Sequence, residues 1–156
     1  MDNPLVSTGH ILLAAAVAGL QQAGITPPSR QSLWPGEMVD DCDHLGVMLV
    51  SYFTGAPAAP VVDIERCGWS SGAEYQIRIV RCITTLDDHG DPPQASAITA
   101  DAELTADDIY AIRRHLIREY HTGRLLGRRE LYVGPALPAD PEGGLGGWTI
   151  TVQVEV

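Results

Sequence analysis

Hydrophobic and polar positions alternate most regularly over WTITVQVEV, where Trp148, Ile150, Val152, Val154 and Val156 take one side and Thr149, Thr151, Gln153 and Glu155 the other. A period of two predicts a strand with one buried face. YQIRIVRCI, residues 75–83, begins the same way, with Tyr75, Ile77 and Ile79 opposed to Gln76 and Arg78. The alternation then slips, because an unbroken count puts Arg81 on the apolar side between Ile79 and Ile83. Two solutions exist. A bulge, the preferred one, sends Ile79, Val80 and Cys82 inward and Arg81 outward. A regular strand instead leaves Arg81 to meet a carboxylate at the sheet end, in its own chain or on a neighbouring subunit.

GVMLVSYF, residues 46–53, is a near-continuous apolar run that predicts a strand covered on both faces. VVDIE, residues 61–65, is a weaker candidate, and RELYV, residues 129–133, a short one. Two stretches carry the helical period. The first runs from a cap at Ser7 or Thr8 to about Ala23, with Gly24 as its stop. It is apolar around most of its circumference, so it should lie between a sheet and a further body, and its Ala residues and Gly19 allow close approach. The second is expected to start at Thr105-Ala-Asp-Asp108, a Ser/Thr-x-x-acid signature, and to end at Gly123. Residues 86–96 have loop composition, and residues 134–147 predict a Gly- and Pro-rich connection of unusual length. The sum is one α+β domain, residues 1–156, with a mostly antiparallel sheet of four to five strands, two main helices and a long hairpin loop.

Composition narrows the function. All ten basic residues are arginine, against twenty acids and a net charge of -10. That argues against a nucleic-acid binder, whose phosphate affinity rests on clustered positive charge. The N-terminal flank MDNPLVSTGH has no basic residue, and the ten apolar residues after it are too few for a membrane span, so neither secretion nor a membrane partner is expected. With an odd cysteine count and no CxxC, Cys42, Cys67 and Cys82 are expected reduced and packed as small apolar groups.

Candidate chemistry is thin. DDCDH, residues 40–44, has ligand-type residues but no second spaced pair, which favours a solvated, partly capping acidic turn over a metal site. Cys42 lies between two aspartates that would raise its pKa, against a reactive thiolate. Gly143-Gly144 and Gly146-Gly147 precede a strand instead of a helix and fit a hairpin tip better than a phosphate cradle. No catalytic residue, metal site or cofactor is expected. Six arginines fall within residues 113–129 while the rest of the chain is acidic. That distribution suits head-to-tail self-association or an acidic partner, and equally a solvated helix face compensated by Asp107, Asp108 and Glu119.

Arg81-Cys82-Ile83-Thr84-Thr85, the segment Thr105 to Ile109, and Gly134-Pro135 through Gly143-Gly144-x-Gly146-Gly147-Trp148 occur here in an order that resembles the tail terminator proteins of long-tailed phages, particularly those infecting GC-rich actinobacteria. The resemblance covers nearly the whole chain and rests on turns and strands. It implies a virion protein assembled in the host cytoplasm as a ring, usually hexameric, on the last ring of tail tube protein. There it would stop tube growth at the length set by the tape measure protein and face the head connector or stopper, with genomic DNA passing through an acidic lumen without specific binding. Arg81, Arg113, Arg114, Arg118, Arg128, Arg129, Gly143, Gly144 and Trp148 are the candidate subunit or partner contacts. A neighbouring connector, stopper or adaptor protein is the alternative within this class, and a small cysteine-dependent hydrolase the alternative outside it.

Overall fold

A computed structural model of the chain describes residues 3–36, 38, 41–58 and 71–156, with the backbone alone at 140–142. The elements are α1 (Pro4–Gln22), β1 (Arg30–Trp34), β2 (His44–Thr54), β3 (Ser71–Cys82), α2 (Ala95–His121), β4 (Leu131–Glu142) and β5 (Leu145–Glu155). The five strands form one sheet in the order β1-β2-β3-β5-β4. Among the described residues only β1 and β2 pair in parallel. The expected α+β class is what the chain adopts, and the proposed strand at 61–65 lies outside the described residues.

Both helices pack on one face of the sheet. Leu12, Ala16 and Leu20 of α1 and Ile109, Ile112 and Leu116 of α2 bury against Leu45, Val47, Tyr75, Ile77, Ile79, Ile150, Val152 and Val154. By length and hydropathy α1 could pass for a membrane span, yet its buried positions serve this core. Its far side is open, with Val6 and Ile11 exposed. On the sheet's other face Gln76, Arg78, Thr149 and Gln153 are half-buried, and Met38, Met48 and Val80 make a smaller cluster with Trp34 and Leu145.

The helix ends follow the capping chemistry. Asn3 caps α1, its Oδ1 accepting the Leu5 N–H at 2.9 Å, one turn earlier than the Ser7 or Thr8 expected. At the other end Gly24 adopts φ 75°. The Ile25 N–H then reaches the Leu20 carbonyl and the Gly24 N–H that of Gln21, a Schellman closure. Gly123 closes α2 in the same way, with Arg124 bonded to Glu119 and Gly123 to Tyr120. The start of α2 differs from expectation by ten residues. It begins at Ala95, and Thr105 and Asp108 are buried in mid-helix. Thr105 turns its hydroxyl back to the Ala102 carbonyl instead of capping.

The segment 134–147 is strand for most of its length. β4 runs on to Glu142, Gly143-Gly144 alone turns the chain with φ 56° and 81°, and β5 starts at Leu145. Proline is tolerated here because β4 is an edge strand. Pro135 falls at a register irregularity between Val133 and Ala136.

Candidate functional site

The fate of Arg81 follows from register. β3 pairs with β5 without a break from Gly72 to Cys82, so no bulge occurs there; the irregularity in this part of the sheet lies in β2, between Leu49 and Ser51. Arg81 therefore points to the helix side with Ile77 and Ile79, while Val80 joins the opposite face. Asp108, wholly buried on α2, accepts from Arg81 Nε at 2.8 Å and Nη2 at 2.9 Å, a two-pronged pair. Nη1 donates to Asp43 at 2.7 Å and Nη2 to the Thr26 carbonyl at 2.9 Å. The carboxylates it meets are thus in the same chain, and Arg81 ties β3 to α2 and to the segments carrying Thr26 and Asp43. Hydrogen bonding by Asp108 outweighs burial and raises the Arg81 pKa. Burial pushes the Asp43 carboxyl up, but the Ser29 N–H and Arg81 outweigh it and hold the group below its ordinary value.

The acidic turn before β2 disperses its side chains. Asp41 pairs with Arg30, Asp43 with Arg81, and His44 Nε2 lies 2.7 Å from the Ser32 hydroxyl. Docking of Asp43 on Arg81 brings Cys42 beside the end of β3, where it forms a disulfide with Cys82 across Cα atoms 5.0 Å apart. The expectation of reduced cysteines is corrected at these two positions, and neither is a nucleophile in this state; Cys67 lies outside the described residues. The Ser32–His44 pair has the geometry that begins a nucleophile relay. The indole N–H of Trp34 donates to the same nitrogen at 3.4 Å, however, which makes Nε2 a shared acceptor that ties β1 to β2.

The remaining candidates divide between places. Arg129 donates to Thr8 Oγ1 at 2.9 Å and to the Leu126 carbonyl, joining the segment after α2 to α1. Arg128 is exposed. Gly143 and Gly144 form the hairpin turn, where the Gly144 carbonyl accepts the Ile83 N–H at 2.8 Å, and Trp148 is half-buried against the core. Arg113, Arg114 and Arg118 do come together, on the outward side of α2.

That side holds a stripe the sequence reading passed over. Tyr110, Arg113, Arg114, Ile117 and Arg118 recur at helical i, i+3, i+4, i+7, i+8 spacing, and Tyr110 is 64% exposed. Glu103 and Asp107 precede them on the same face, so charge reverses along the helix. A groove of about 430 Å³ lies between this ridge and the C-terminal end of α1, and a second, of about 510 Å³, between the ridge and β4, with Ile109, Ile117 and Ala136 in its lining. Gly19 sets the helix crossing behind the ridge, where a Cβ would stand 2.9 Å from that of His115. Burial lowers the His115 pKa against the opposite pull of Glu119, and Arg118, whose Nη2 lies 3.0 Å from His115 Nδ1, adds to the lowering.

No protein-family model and no curated protein matches the chain.

Proposed function

We propose that the chain is a ring-forming structural subunit of the phage tail-terminator kind, which closes the head-proximal end of a tail tube and meets the head connector on its other side. The single observation that carries the reading is the outward face of α2. Its first ten residues bury no side chain, leaving Ile98 and Leu104 exposed, and its later half presents Tyr110 one turn before Arg113 and Arg114, over an apolar groove. A helix of 27 residues, about 40 Å long, extends beyond what its own core requires. Such a face is suited to a neighbour. The resemblance in segment order supplies the class of assembly, and the acidic balance of the chain suits a channel through which DNA slides.

Light scattering coupled to size exclusion, followed by electron microscopy of the purified chain alone and with tail tube protein, tests the reading. A closed ring of about six protomers that caps tubes is expected. A strict monomer that leaves tubes uncapped overturns it, and a ring that ignores tubes but binds a head connector moves the chain to the stopper class.

A further inference from the structure

The groove between α2 and β4 has an apolar floor and a cationic rim, so its occupant should carry an apolar knob flanked by acids. The chain presents such a knob elsewhere. Leu86 is 62% exposed and is followed by Asp87, Asp88 and, after His89-Gly90, Asp91, all exposed. This turn is already folded. Asp87 Oδ1 accepts the N–H groups of His89 at 2.8 Å and Asp91 at 2.9 Å, and the Asp87 carbonyl accepts that of Gly90, whose φ is 83°. A segment ordered before contact loses less entropy on binding.

The knob is rooted away from the groove of its own chain. Thr84 donates its N–H to Asp101 Oδ2 at 2.7 Å, and its hydroxyl donates to the same oxygen, which pins the root of the turn near the first third of α2. From Asp101 to Ile109, the near end of the groove, the helix rises by roughly 12 Å. Knob and groove thus sit at different levels along one helix, and contact between unlike patches is heterologous, the kind that closes into rings or runs on as filaments.

We propose that the turn Leu86–Asp91 of one copy of the chain seats in the α2–β4 groove of the next, Leu86 on the floor by Ile109 and Ile117, Asp88 and Asp91 beside Arg113 and Arg114. This rests on the ring-forming reading and names the contact that builds the ring. Complementary charge fixes the register and speeds encounter, and the leucine supplies the desolvated centre.

The test is a charge exchange read by light scattering, with circular dichroism confirming unchanged folding. Asp88→Arg and Arg114→Asp should each weaken association by about ten-fold or more. Mixing the two variants, or combining them in one chain, should restore it. A photo-crosslinking amino acid at position 86, in a mixture of isotopically heavy and light chains, should join heavy to light through peptides spanning residues 109–118. A wild-type ring whose crosslinks fall elsewhere, or that tolerates both reversals, overturns this contact and leaves the ring reading standing. A wild-type chain that is monomeric at the highest soluble concentration overturns both, and a two-fold dimer crosslinked at Tyr110 replaces the contact with a symmetric one.

Discussion

Arg81 places a permanent cation in the core, and its worth depends on keeping its partners. Removing one member of a buried pair strands the other, whereas replacing both by apolar groups can be nearly neutral. Asp108→Ala is therefore expected to cost about 3–5 kcal/mol in chemical denaturation. The double change Arg81→Met with Asp108→Leu should cost much less than the two single changes added together; simple additivity would show that the pair is not coupled. Asp43 gives the same tie a pH dependence. Its folded pKa is depressed, so its contribution is present above the unfolded value of about 4 and is lost as pH falls through the folded value. Wild type and Asp43→Asn should differ in urea midpoint at neutral pH and converge below about pH 4. A gap unchanged at pH 2.5 would count against this assignment.

At the level of elements, glycine shows how one residue type serves two ends. Gly143 turns the β4–β5 hairpin with open space where a Cβ would be, while at Gly147 a Cβ would overlap the Ile79 carbonyl oxygen of the neighbouring strand. Gly143→Ala should cost about 1 kcal/mol through its φ alone, and Gly147→Ala about 3 kcal/mol or more, because β3 and β5 must separate. Thermal unfolding of the two variants decides the order. The sequence shows the glycines but not this difference, since close approach of two backbones is set by pairing between distant segments. β3 and β5 were legible because one face of each is buried, and alternation records that directly. β1 was missed because its five edge residues are at most half-buried. The start of α2 was misplaced because its first ten residues have no core to face, so no apolar period marks them, while Thr105 and Asp108 imitate a cap.

For the whole molecule, the Cys42–Cys82 bond closes a sequence separation of 40 residues. A loop of that size gives about 4 kcal/mol by chain entropy, and reduction with a phosphine should lower stability by about 2–4 kcal/mol. An unchanged melting temperature, with both thiols shown free by alkylation and mass, would speak against it. The bond could not be read from three cysteines without a spacing motif. It depends on the acidic turn docking at the end of β3, and that depends on Arg81 pointing inward. The outward stripe of α2 was only half legible: its arginines were noticed as a charge cluster, but Tyr110 and Ile117 acquire meaning only once the inward side is known. The Arg81 tie also bears on the order of folding. One guanidinium joins groups 27, 38 and 55 residues away, so four separate stretches of chain must be in place before it is complete. A contact needing that many closures forms after the folding barrier, and its loss speeds escape from the native state more than it slows arrival. In a chevron experiment, Arg81→Met should raise the unfolding limb and leave the folding limb nearly where it was, making this residue a governor of lifetime; a shifted folding limb would place it in the nucleus instead.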